Sequence, residues 1–173
     1  MPATNDAKPL DSRRTDEAPV DALTLLETDH AAVQVMFDRF ENQKNSSASL
    51  KTLRPLAEEI LHALRVHAQI EEEIFYPAVR EACDDCADLL DEAEVDHAEV
   101  KHLIAAIEQD PDSFDDRIHV LAEDVEDHVD EEQHKLFPMV RGTNLDLNAL
   151  GKQLAMRKKE LMSIPPAKKP ATA

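Results

Sequence analysis

Glycine is scarce in this 173-residue chain, with two in all, and tryptophan is absent. The aromatic set is small, five Phe and one Tyr, yet hydrophobic residues still make up 42% of the chain, enough for a core in one domain. Alternating runs of Val, Ile and Thr are lacking too, which argues against a sheet. With Ala, Leu, Glu and Asp plentiful, the composition predicts an all-α protein. Nowhere does the chain approach the ~20 consecutive apolar residues of a membrane span. The first twenty residues carry no apolar segment of the kind a secretory leader needs, so the expected location is cytoplasmic. Basic residues are outnumbered, 19 Lys and Arg against 37 Asp and Glu, leaving a net charge of −18. That balance disfavours nucleic acid and anionic membrane as partners. It fits a solvated helical surface, and secondarily a field that draws cations. Cysteine occurs twice, as Cys83 and Cys86 in one C-x-x-C. A redox pair is conceivable, but no second pair stands at zinc-site spacing. His97, eleven residues beyond, is about 16 Å away along a helix. In a reducing cytosol these thiols are expected to be incidental packing or surface residues.

What the chain does have is a histidine pattern written twice. His67-Ala68-Gln69-Ile70-Glu71 and His128-Val129-Asp130-Glu131-Glu132 both read H-x-x-x-E. Each leads to an aromatic-proline pair and then an arginine, Tyr76-Pro77 with Arg80 and Phe137-Pro138 with Arg141. Upstream of each stands a second element, Asp29-His30-Ala31 and Asp96-His97-Ala98. The two H-x-x-x-E elements lie 61 positions apart and the two Asp-His elements 67, as expected for a duplicated helical hairpin with unequal connections.

Hydrophobic periodicity predicts four main helices and a shorter fifth. The first runs over about 21–43, capped by Asp21, with the stripe Leu23, Leu26, His30, Val33, Phe37, Phe40. The second begins near Leu50 or Pro55 with the stripe Leu56, Ile60, Ala63, His67, Glu71, Ile74, and Pro77 should end or kink it. The third starts near Asp84 or Asp85 and stops near Asp110-Pro111, with Leu90, Ala93, His97, Val100, Ile104, Ile107 inward. The fourth, capped by Ser113, carries Phe114, Ile118, Leu121, Val125, His128, Glu132, Leu136 and closes at Pro138 and Gly142. A last helix over about 147–162 should cover one side or end. Short connections make this an antiparallel up-down-up-down four-helix bundle with a short fifth C-terminal helix. The domain spans residues 20–163, between a polar N-terminal tail over 1–19 expected to be disordered and a basic, Pro-rich tail over 164–173.

Positions i and i+4 differ by about 40° around a helix, so His67 shares a face with Glu71, and His128 with Glu132. Each of the six residues His30, His67, Glu71, His97, His128 and Glu132 takes an apolar place in an inward stripe. A buried ionised carboxylate without a partner costs several kcal/mol or neutralises. Two of them with four imidazoles in one core are hard to reconcile with a metal-free bundle, whereas cations accept these donors and supply the missing charge. A set of nitrogen and oxygen donors without thiolate suits a dinuclear site better than structural zinc. Two imidazoles and two bridging carboxylate oxygens per ion, with a bridging oxide or hydroxide, leave one octahedral position for oxygen, nitric oxide or peroxide. The remaining histidines, His62, His102, His119 and His134, fall off the stripes and should face outward, with His102 the one a helix distortion would bring in. Tyr76 is a candidate redox participant, but five residues past Glu71 puts it about 140° around an α-helix, so packing at the bundle end is expected.

With Asp29-His30, His67 through Glu71 to Tyr76-Pro77, Asp96-His97, and His128 through Glu132 to Phe137-Pro138, the chain resembles the hemerythrin-like, HHE cation-binding family over about residues 21–141. The resemblance implies a four-helix bundle around two iron ions, oxo- or hydroxo-bridged, with manganese or zinc as lesser alternatives. It implies His30, His67, His97 and His128 as terminal ligands and Glu71 and Glu132 as bridges. Oxygen-carrying hemerythrins have a fifth histidine four residues after the third-helix one; here Lys101 stands there, which brings the chain closer to bacterial members with four His and two Glu. Three functions stay open. The first is a protein that binds or senses a diatomic ligand, oxygen or nitric oxide. The second is an oxidoreductase acting on peroxide or nitric oxide, or an iron donor in iron–sulfur repair. The third is an interaction bundle stabilised by metal. No protein partner can be named from the residues.

Overall fold

The computed structural model describes residues 20–110 and 114–164. Helix α1 spans Ala22–Asn45, α2 Leu50–Ile70, α3 Tyr76–Ala82, α4 Ala87–Gln109, α5 Phe114–Glu131, α6 Phe137–Arg141 and α7 Leu147–Met162. Among the described residues there is no strand. The termini are set by local chemistry. Asp21 accepts from the Thr24 amide, Ser49 from the Thr52 amide and Asp146 from the Ala149 amide, so α1, α2 and α7 each begin where a side chain satisfies a free N–H. The expected cap Ser113, the N-terminal tail and all of the C-terminal tail but Ile164 lie outside the described residues.

The predicted stripes face inward. All six stripe residues of α1 and all six of α4 are buried, as are those of α5 through Glu132 and Leu136. They form two apolar clusters, one at each end of the bundle. One joins Phe37, Phe40, Ile60, Ile104, Phe114 and Leu121; the other joins Leu23, Leu26, Phe75, Tyr76, Leu90 and Phe137. The histidine and glutamate positions lie between them along the same helices. α7 packs on α1 and α2 and adds Leu150, Leu154 and Leu161 to the second cluster. It approaches closely at Gly151, where an added Cβ would stand 2.4 Å from the Val20 carbonyl oxygen and 2.8 Å from the Ala22 nitrogen.

Two expectations need correction. Pro77 does not end its helix, and Pro138 does not close the fourth, which runs on to Arg141 and closes at Gly142. Instead α2 passes into a π turn over Glu71–Phe75 and α5 into another over Glu132–Leu136, each followed by a short α-helix that contains the proline in its first turn. The amide of Tyr76 reaches back to the Glu71 carbonyl, and that of Phe137 to the Glu132 carbonyl. Proline brings no N–H, so the return to α register at Pro77 and Pro138 orphans no donor there. The second correction concerns the cysteines. Cys83 and Cys86 are joined in a disulfide at the turn leading into α4, with Cys86 fully buried in the second cluster. The C-x-x-C spacing across one tight turn, a 3₁₀ turn over Asp84–Cys86, brings the sulfurs together.

Candidate metal centre

The structure brings all six sequence-predicted site residues together and buries every one, with Glu71 at 0% exposure. His30 comes from α1, His67 from the last turn of α2, His97 from α4 and His128 from the last turn of α5. Both glutamates open the π turns. His30, His67, Glu71 and Glu132 form one group in which a donor atom from each lies within 4.8 Å of the others; Glu71, His97 and His128 form a second. Glu71 belongs to both: its Oε2 is 3.1 Å from His67 Nε2 and 3.3 Å from His97 Nε2. Glu132 Oε2 likewise lies 3.4 Å from His30 Nε2 and 3.7 Å from His128 Nε2. The histidines thus pair as His30 with His67 and His97 with His128, and each carboxylate reaches across both pairs.

Ring orientation points the same way. His30 Nε2 and His67 Nε2 are 2.9 Å apart, and His97 Nε2 and His128 Nε2 3.2 Å. The Nδ1 atoms face outward to polar neighbours supplied by the repeat. His97 Nδ1 donates to Glu72 at 3.0 Å and His128 Nδ1 to Asp96 at 3.3 Å. His67 Nδ1 lies 3.7 Å from Asp29, an ion-pair separation. The Gln133 amide sits 3.1 Å from His30 Nδ1, where an amide can present either nitrogen or oxygen. The residue before each Asp-His histidine therefore serves the H-x-x-x-E histidine of its own half, and the residue after each glutamate serves the Asp-His histidine of the other half. Such partners fix the tautomer that leaves Nε2 free to ligate. Lysines hold two of them: Lys101 bonds to Glu72, and Lys158 of α7 bonds to Asp29.

Electrostatically the cluster is a problem that cations solve. Neither oxygen of the buried Glu71 carboxylate finds a hydrogen-bond partner among the described residues, nor does Glu132 Oε2. The 3.1 Å approach of His67 to Glu71 is close enough for an ion pair but not aligned as a hydrogen bond. Burial would push the His67 imidazole down, yet the Glu71, Asp29 and Glu132 carboxylates outweigh it and raise it to about 10. Burial opposes and Glu71 and Glu72 favour the charged form of His97, which rises to about 9. Burial pushes Glu71 up, but His67 and His97 hold it well below the usual carboxylate range. Unpaired buried oxygens and converging Nε2 atoms fit a pair of bound cations, which need deprotonated carboxylate and neutral imidazole.

Tyr76 does more than α-helical periodicity predicts. Its ring packs in the second cluster at the bundle end, as expected, and its phenol also donates to Glu132 Oε1 at 2.9 Å and lies 3.3 Å from His97 Nε2. The π turn from Glu71 to Phe75 adds a residue to the turn, so the fifth position after Glu71 comes back toward the glutamate's own face. Burial and the Glu71 and Glu132 charges raise the phenol well above its usual range and keep it a donor. Its counterpart in the other half is Phe137, stacked on His30 with centroids 6.0 Å apart and planes 9° apart. Glu72 and Gln133 were also missed; their common place directly after the repeated glutamate was the available signal. Of the other histidines, His102, His119 and His134 are exposed and His62 is half-buried, and none is in either donor group.

Comparison with known proteins agrees with this geometry. A crystal structure of a hemerythrin HHE cation binding domain-containing protein from Mycobacterium kansasii superposes with a TM-score of 0.69, covering 83% of this chain and 88% of that one at 22% identity, which shows the shared fold. A protein of Nostoc sp. PCC 7120 described as a DNA nickase is 30% identical over 132 residues; the match takes in 73% of this chain but spans only 35% of that protein's length. The Hemerythrin HHE cation binding domain matches residues 21–140, from the α1 cap through both H-x-x-x-E elements to the end of the second aromatic-proline segment. A bundle with a buried His/Glu cluster able to bind metal, matched over that span, belongs to the hemerythrin HHE cation-binding domain family.

Proposed function

We propose that the chain holds two iron ions among His30, His67, Glu71, His97, His128 and Glu132 and binds or senses a diatomic ligand, oxygen or nitric oxide, at the pair. The observation that carries this reading is Glu71, a fully buried carboxylate placed between two histidine pairs with neither oxygen hydrogen-bonded. Donors of nitrogen and oxygen alone favour iron, or manganese, over structural zinc, whose sites usually include thiolate. Iron held by these six side chains would supply redox-active Lewis acidity. The chain's own residues do the rest: Glu72, Asp96, Asp29 and Gln133 orient the imidazoles, and Tyr76 holds a proton on its phenol against Glu132. Phe75 and Phe137, both fully buried, exclude water from one side. The test is spectroscopic: iron-loaded protein reduced anaerobically and then exposed to air, or to nitric oxide, should change its absorption reversibly. Irreversible bleaching or no change rejects the reading.

A second reading, turnover of peroxide or nitric oxide, is favoured by one observation, the buried Tyr76 phenol touching Glu132 and His97. Steady-state turnover lost in Glu71→Ala would establish it. Nicking of DNA, which the Nostoc protein's description raises, is opposed by the net charge of −18. A supercoiled-plasmid assay on the metal-loaded chain decides it.

A further inference from the structure

The two halves of the repeat are not equally closed. In the first half the way in between helices is filled by Leu26, Ile70 and Phe75, all at 0% exposure, and α7 lies over α1, α2 and the first π turn. The residues at the same repeat positions in the second half are Ala93, Glu131 and Leu136. No helix among the described residues covers them as α7 covers the first half. There a crevice of about 10 Å³ lies between α4 and the end of α5, lined by Ala93, Asp96, Glu131 and Leu136 together with His128 and Glu132. Leucine in one half and alanine in the other is the difference of one small side chain. At the mouth the contrast persists. The Asp96 side chain is 31% exposed, whereas its counterpart Asp29 is 9% exposed and lies under Lys158.

Resting on the diatomic-ligand reading above, we propose that this crevice is the port to the metal pair, that Ala93 sets its bore, and that it admits uncharged ligands of one or two heavy atoms ahead of small anions. Size follows from volume: about 10 Å³ is roughly the room of one water molecule. A larger side chain at position 93, where Ala93 is itself buried, projects into that room. Selectivity follows from charge. Asp96 and Glu131 both line the crevice, and Lys135, which bonds Glu131, is itself surrounded by Glu92 and Asp130, so the mouth stays acidic. An anion approaching it meets repulsion that a neutral diatomic does not.

Stopped-flow association of nitric oxide, and separately of azide, with the iron-loaded full chain tests this. Ala93→Leu should slow nitric oxide association by about tenfold or more, and Ala93→Val by less, with two irons per chain and the absorption spectrum retained. Glu131→Gln at low ionic strength should speed azide and leave nitric oxide unchanged. If Ala93→Leu does not fold, the graded effect of Ala93→Val decides. Wild-type rates in folded, fully loaded Ala93 variants would overturn the port while leaving the diatomic reading intact. A wild-type protein that responds to neither ligand would overturn the reading itself, whatever position 93 holds.

Discussion

Metal-free His67 sits among carboxylates: Glu71 one helical turn away on its own face, Asp29 behind its ring, Glu132 across the core. Three carboxylates around one imidazole carry more negative charge than a single proton on His67 neutralises. Replacing it removes one nitrogen donor and leaves Glu71 still buried, so His67→Ala should lose one or both metals and lower the melting temperature. His134, exposed and bonded to the Asp130 carbonyl of its own helix, should tolerate alanine without change in either. Metal analysis of the two variants beside the parent checks the pair; equal metal loss in both would refute the assignment of faces. The six donors could be picked out in the sequence because each interrupts an apolar stripe at a repeated place. Tyr76 could not, because its distance from Glu71 is measured along a helix whose local pitch changes, and nothing in α-helical periodicity reports that. The outward partners Glu72 and Gln133 were hidden for a plainer reason: charged and amide residues next to a glutamate look like ordinary solvated helix.

The helices themselves followed from caps and periodicity, as Asp21, the α1 and α4 stripes and the span of α7 illustrate. The π turns did not, since a proline after an aromatic residue reads equally as a helix stop. The disulfide is not legible from compartment, because it depends on the local 3₁₀ turn that brings Cys83 and Cys86 together. Periodicity lets α7 cover one side or end of the bundle, but which one depends on an approach visible only in three dimensions. That approach hangs on Gly151. A Cβ there would meet backbone atoms of residues 20–22, which cannot swing aside as a flexible side chain would. Gly151→Ala should therefore push α7 off α1 at a cost of about 1–3 kcal/mol, seen as a fall of several degrees in melting temperature. An unchanged melting curve would show that α7 is not seated as described. The variant also has a site-level consequence, because Lys158 rides on α7 and holds Asp29 beside His67.

For the whole molecule, pH links charge to metal. In the metal-free chain His67 and His97 are raised from the ordinary 6.5 to about 10 and about 9. Raised imidazoles stabilise the metal-free fold fully below 6.5, and that contribution is lost as pH climbs through 9 to 10. Metal binding runs the opposite way, since the ions take neutral imidazole and must displace those protons. Loading at pH 7 should therefore release about two protons per chain, fading toward none above pH 10. Titration calorimetry in buffers of different ionisation enthalpy measures this, and zero release at pH 7 would contradict the electrostatics described here. The acidic surface, −18 overall, favours cation capture and weakens with added salt.

The central claim is that four helices converge six side chains on a pair of ions. Anaerobic titration of the metal-free full chain with ferrous iron, read by bound-metal analysis, tests it most directly. The account predicts saturation at two irons per chain, with Glu71→Ala, which removes the carboxylate reaching both histidine pairs, falling below two. Saturation at one ion or none, or two ions bound equally well without Glu71, would contradict it.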